Sequence, residues 1–226
     1  RSKMQEFVET LETEFKKFAN PQNAAGQKAY MKNHFEFLGI SSPLRREIQK
    51  PFLQKQYLPP KSQVESIVKT LWAKPEREYH YFAQEFCYKY LKQFEKADIE
   101  LFEYMVIHNS WWDTIDFISP KLMAEYFKLY PEQITPHVNK WLASGNIWLQ
   151  RSSILFQLHY KENLDTALLA SSINYLLGSK EFFINKAIGW MLRQYSRTNP
   201  DWVRDFANNT NLANLSRKEA LRLIKD

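Results

Sequence analysis

Four stretches of the chain superpose on one another at nearly constant spacing, and that recurrence constrains the fold more than any single residue does. LWAKPEREYHYFAQEF from Leu71, MVIHNSWWDTIDFI from Met105, WLASGNIWLQRSSILF from Trp141 and LLGSKEFFINKAIGWML from Leu176 begin 34, 36 and 35 residues apart. Each ends one helix on an apolar pair, turns in a few polar residues, and starts another helix on aromatic or aliphatic side chains. A period in the thirties made of two helices is the signature of a solenoid of the HEAT, armadillo or tetratricopeptide kind. Such a pair cannot bury its apolar face alone, so neighbours stack into a superhelix with an elongated concave surface.

The remainder of the chain agrees with an all-α fold. Apolar residues recur at three and four positions almost throughout, glycines number only five, and no Asn-Gly or Asp-Gly hairpin signal occurs. Breaks at 20–23, 41–43, 58–62, 73–76, 118–120, 130–133, 144–146, 178–181, 198–201 and 214–216 divide the chain into about a dozen helices. No linker or shift of composition interrupts the array, so a single domain over 1–226 is expected.

Composition sets the class of partner. A hydrophobic content of 44% with 25% charge suits a soluble globular chain, and no apolar run approaches the ~18 residues of a membrane span. The first residues, RSKMQEF, carry no hydrophobic secretion signal, and the lone Cys87 can form neither an internal disulfide nor a thiolate metal cluster. A cytoplasmic protein is therefore expected. Lys and Arg outnumber acids 31 to 25, giving a net charge of +6, which favours an anionic partner such as nucleic acid. There is no GxxxxGK[ST] or GxGxxG phosphate loop, no HExxH, no GxSxG, and the histidines at 34, 80, 108, 137 and 159 are scattered. Neither a metal nor a cofactor is expected.

Within this frame a few positions carry chemistry. Residues 110–116 read SWWDTID, and Trp111, Ile115, Ile118 and Leu122 form an apolar stripe at helical spacing, the core face. Trp112 and Asp116, four apart, share a second face rotated by about 100°. A carboxylate there is either a core-edge acceptor for a neighbouring helix or a functional acid. In NIWLQRSSILFQL, Arg151 takes the place of an apolar residue in the stripe of Ile147, Ile154 and Leu158. Its guanidinium needs an anion, which is either a carboxylate such as Asp116 or a phosphate.

Repeat spacing sets Arg151 opposite Lys186, in a helix that also carries Trp190 and Arg193 on one face. Gly189, beside Trp190, leaves room for another backbone or a ligand. Near the N-terminal end, YMKNHFEFLGISSPLRREI places Ser42 as cap and Pro43 as first residue of a helix, with Arg45 and Arg46 in its first turn. Cations there oppose the helix dipole, a conflict that a bound phosphate relieves and solvation also tempers.

Taken together, YMKNHFEFLGISSPLRR, LWAKPERE, HNSWWDTIDFI, NIWLQRSSILFQLHYK and SKEFFINKAIGWMLRQY resemble the AlkD-like DNA alkylation repair enzymes, glycosylases built from HEAT-like repeats, over roughly residues 5–225. The resemblance implies hydrolysis of the N-glycosidic bond of cationic purines alkylated at N3 or N7 in duplex DNA, without base flipping; a monomer is the expectation for an array with polar ends. It puts the catalytic aspartate on Asp116 and its flanking indoles on Trp112 and Trp190. It puts backbone contacts on Arg151 and Tyr30, and more loosely on Arg193 in the same groove; from the residues themselves, Lys186, Arg45, Arg46 and Ser41 are further candidates for DNA contact. Ser41 stands where some relatives have Gln, and His159 where Lys is usual; both touch DNA contact rather than the acid. The competing expectations are a DNA-binding relative without catalysis, and a protein-binding solenoid with the tryptophans as a peptide platform.

Overall fold

The computed structural model describes residues 1–225 and is helical from end to end, with no strand among those residues. The chain forms two compact units, Arg1–Phe94 and a second that begins at Glu95. In the first, α1 (Lys3–Lys16), α2 (Pro21–Tyr30) and α3 (Ser42–Gln49) precede a helix pair, α4 (Val64–Trp72) and α5 (Arg77–Tyr88). In the second, α6 (Ile99–Ile107) is followed by α7 (Trp112–Phe117), a π-helical segment (Ile118–Met123) and α8 (Ala124–Leu129). Then come α9 (Ile134–Ala143), α10 (Ile147–Leu155), α11 (Thr166–Leu176), α12 (Phe182–Ser196), α13 (Pro200–Asn208) and α14 (Asn214–Leu221).

The four superposable stretches each span the junction of a helix pair: α4 with α5, α6 with α7, α9 with α10, and α11 with α12. Local chemistry explains the turns. Gly145 (φ 72°) and Gly178 (φ 86°) lie in the left-handed region just past α9 and α11, and Asn109 (φ 50°) takes the corresponding place after α6. Glycine and, less readily, asparagine tolerate that conformation, so the chain can reverse within a few residues. Asn146 then caps α10, its side chain accepting from the N–H groups of Trp148 and Leu149 at 2.9 and 3.1 Å.

Two expectations about breaks need correction. At 118–120 the helix does not stop: α7, the π segment and α8 follow one another without interruption. In a regular α-helix the ring of Pro120 would strike the carbonyl of residue 116, four positions back. Widening to π spacing relieves that clash, and Ile118, Ser119 and Pro120 stay buried in the core. The cap of α3 is Ser41, not Ser42; its Oγ accepts from the Leu44 N–H at 3.4 Å.

Within the second unit the later helices of the pairs lie side by side and are laced together. Ser119 Oγ donates to the Ser152 carbonyl at 2.9 Å, joining the π segment to α10. Ser216 Oγ donates to the Asn185 carbonyl at 2.7 Å, joining α14 to α12. Beneath them Ile115, Ile118, Leu122, Ile154, Ile184 and Ile188 are buried. Burial of each such side chain contributes about 1.5–3 kcal/mol, the main force holding the stack.

Candidate active site

Asp116 lies on α7 at the rim of this core, its side chain 19% exposed. Arg151, one repeat later on α10 and only 4% exposed, meets it face to face. Arg151 Nε donates to Asp116 Oδ1 and Nη2 to Oδ2, both at 3.0 Å. The third nitrogen, Nη1, donates to the Phe183 carbonyl at the start of α12 at 2.6 Å. One guanidinium therefore joins three successive repeats, and the bidentate fork fixes the plane of the carboxylate. Of the two anions open to Arg151 on sequence grounds, the structure shows the carboxylate.

The electrostatics are a contest. Burial raises the Asp116 carboxyl above its ordinary range, Arg151 pulls it back through charge and hydrogen bonds, and Asp113 adds a smaller upward push; the balance stays raised. Aromatic rings form the dry side of the site. Trp111, Trp148 and Phe183 make a mutual cluster with centroid distances of 5.6, 5.1 and 5.0 Å, and the Arg151 guanidinium lies 5.8 Å from the Phe183 centroid. Trp111 is the N-cap residue of α7 and half-buried, so it leads the helix in rather than belonging to its stripe. Trp112, four residues before Asp116 on the same face, is also half-buried.

Over the next three turns after Phe183, α12 carries Lys186, Trp190 and Arg193, each partly exposed. Gly189 opens α12 to α14: a Cβ there would stand 2.8 Å from Glu219 Cβ and 3.2 Å from Ser216 Cα. The space allowed by the missing side chain is taken by another helix. Glu219, brought in by that approach, accepts from Lys186 Nζ at 3.4 Å and pairs with Arg193 Nη1.

In the first unit Tyr30 ends α2 and is 70% exposed. Ser41 and Arg46 are exposed on α3, whereas Arg45 turns inward, where Glu85 and Gln49 take its Nη1. With the cap at Ser41, Arg46 falls in the second half of this short helix, so the conflict with the dipole is smaller than its spacing from Pro43 suggests. The loop leading into α3 is moulded by Glu78, a buried carboxylate that accepts from the N–H groups of Leu38, Gly39 and Ile40 at 2.9, 2.9 and 3.1 Å. Among the described residues no group of His, Cys, Asp and Glu is arranged to hold a metal ion.

Sequence reasoning did not reach Phe183, Glu219 or Glu78. Phe183 acts through its carbonyl, which any residue supplies. A signal for the Asp116–Arg151 pair did exist, because the two lie 35 residues apart, one repeat.

The model of the DNA alkylation repair enzyme family matches residues 11–224, nearly the whole chain. This protein belongs to that family. The solved structure of a predicted DNA alkylation repair enzyme from Enterococcus faecalis is 32% identical, with a TM-score of 0.86, over 92% of this chain and 97% of that one. Among curated proteins no relative matches. As a member of the DNA alkylation repair enzyme family, the chain has DNA as its substrate class, and the carboxylate at the rim of its core is read in that light. No helix among the described residues is long and apolar enough to cross a membrane.

Proposed function

We propose that the protein is a monofunctional DNA glycosylase that excises cationic purines alkylated at N3 or N7, of the 3-methyladenine and 7-methylguanine type, from duplex DNA. The observation that carries this reading is a carboxylate at the edge of the core, held in a fixed plane by a buried arginine, with an indole on the same helix face. Binding phosphates alone gains nothing from such an acid.

The chemistry needs little more. A glycosidase acting on a neutral leaving group requires a second carboxyl to protonate it. A purine alkylated at N3 or N7 is already cationic and departs unassisted, so the barrier is mainly the positive charge that develops on the deoxyribose. Asp116, ionised and preorganised, stabilises that charge and orients the attacking water. Trp112 and Trp190 flank the sugar, adding cation–π attraction and excluding bulk water. Arg151 sets the carboxylate, and its remaining N–H groups meet the backbone beside the lesion. Tyr30, Ser41, Arg46, Lys186 and Arg193 meet further phosphates, while Arg45 shapes α3 from within through Glu85.

In this reading the enzyme acts through sugar and backbone, as a monomer, and leaves the damaged base stacked. Selection then comes from the lability of the cationic bond, and bulky cationic adducts are accepted. A preference for alkylated over normal duplex in binding, much larger than the preference in cleavage, would sink this part.

The test is single-turnover release of 7-methylguanine from a methylated duplex by the wild type. Release above spontaneous depurination supports the proposal. Release at the spontaneous rate, with duplex binding intact, leaves a DNA-binding member of the family without the chemistry.

A further inference from the structure

The C-terminal helix, α14, brings one carboxylate into the middle of three cations. Glu219 accepts from Lys186 Nζ at 3.4 Å, pairs with Arg193 Nη1, and lies 3.9 Å from Arg222 Nη1, which is just past the end of α14. Its side chain is 13% exposed, whereas those of Lys186, Arg193 and Arg222 are 41, 25 and 64% exposed. The carboxylate thus sits beneath the cations, and two of the three positive charges are left unneutralised at the surface.

This arrangement is built into the fold. Lys186, Trp190 and Arg193 occupy one face of α12, about 10 Å from end to end at 1.5 Å per residue. Glu219 reaches cations on both sides of Trp190 because Gly189 lets α14 approach, and Ser216 Oγ ties that approach to the carbonyl of Asn185, next to Lys186. Burial alone would raise the Glu219 carboxyl, but Lys186 and Arg193 more than offset it and hold the group below its ordinary range. The carboxylate is therefore charged at neutral pH and acts as a fixed anchor for the long side chains around it.

We propose that Lys186, Arg193 and Arg222 form a phosphate clamp for the DNA backbone, and that Glu219 is its positioning residue. The inference rests on the DNA-binding part of the reading above and extends it to α14 and to Arg222. Long cationic side chains lose considerable rotamer freedom on gripping a phosphate. A carboxylate that already orders them removes part of that cost before the DNA arrives. A mere competitor for the cations would have the opposite effect, since its removal would free them.

The two roles differ in sign, which makes the test sharp. Affinity of the full-length protein for an undamaged duplex is measured against salt for the wild type, Glu219→Gln and Arg222→Gln, with release of 7-methylguanine and thermal unfolding followed in parallel. Glu219→Gln removes a negative charge, yet positioning predicts a roughly fivefold loss of affinity. Arg222→Gln lowers the slope of log K against log salt by about 0.9, one phosphate contact. Unchanged or higher affinity in a folded Glu219→Gln variant, or an unchanged slope in Arg222→Gln, overturns the proposal. Arg222 is exposed, so its variant decides the matter alone should Glu219→Gln fail to fold. Wild-type release with an unchanged Arg222→Gln slope defeats the clamp and leaves the glycosylase reading standing; a lowered slope without wild-type release does the reverse.

Discussion

Arg151 holds both carboxylate oxygens of Asp116 at 3.0 Å, from a position 35 residues, about one repeat, along the chain, and ties the pair to the start of a third repeat through the Phe183 carbonyl. The acid is thereby part of the stack itself. Its orientation is set by the packing of α7, α10 and α12, three rigid elements, and needs no ligand to form.

Replacing Asp116 by Asn keeps the shape but removes the charge and turns one of the two acceptors that face Arg151 into a donor. Single-turnover release of 7-methylguanine is expected to fall by about 10²–10³-fold, the usual effect of removing one preorganised electrostatic stabiliser. Duplex affinity in a parallel titration should hold or rise, because a negative charge has left the interface. Equal loss of binding and of rate would assign Asp116 to the fold instead.

Arg151→Ala strips the buried carboxylate of its partner and should cost about 3–5 kcal/mol of stability, read as a lower urea midpoint. Arg151→Lys recovers little of this, because an ammonium cannot make the bidentate contact. A midpoint unchanged in Arg151→Ala would mean that the pair contributes nothing net to folding.

The pH dependence follows from the raised Asp116 carboxyl. The chemistry needs the ionised form, so the single-turnover rate, corrected for spontaneous depurination, falls as pH drops through a midpoint above the ordinary carboxylate range. Stability runs the other way: with the folded value above the unfolded one, protonation favours the fold, and ionisation of Asp116 costs stability as pH rises past its unfolded value. Removing Arg151 takes away the group that pulls the carboxyl down, and should move the rate midpoint further up. A midpoint that stays put in Arg151→Gln would detach the acid limb from Asp116.

Gly189→Ala places a Cβ 2.8 Å from Glu219 Cβ and 3.2 Å from Ser216 Cα. Overpacking of about 1–3 kcal/mol outweighs the roughly 1 kcal/mol that alanine contributes to a helix, so the variant should unfold earlier in denaturant. A stabilised variant would show that α14 moves aside freely.

Trp112→Ala and Trp190→Ala each remove one indole from the proposed sugar site. Loss of a partly desolvated cation–π contact of about 1–2 kcal/mol predicts roughly five- to thirtyfold slower release. Phenylalanine at either position should restore part of the rate. Restoration by leucine to the same extent would point to packing rather than charge.

Much of the architecture is legible along the chain because it depends on local chemistry. The pairing of helices shows in the spacing of Leu71, Met105, Trp141 and Leu176, and the reversals show in Gly145 and Gly178, whose left-handed backbone glycine adopts most readily. The site was partly legible too. Asp116 and Trp112 share a face by arithmetic, and Arg151 interrupts an apolar stripe in a way that demands an anion. Its choice of Asp116 over phosphate was open, because a register error of one or two residues between repeats turns a side chain to another face.

What the sequence by itself determined is the helical repeat, its turns, and the residue types offered along each helix, all consequences of periodicity and backbone preference over a few positions. Tertiary packing alone decided the rest: that Pro120 widens a helix instead of ending it, that Arg45 turns in to Glu85, and that Glu219 enters through the gap at Gly189. Those outcomes depend on the rotation and separation of helices distant in the chain. They are set by the sum of many small packing contacts, and no short window of residues encodes that sum.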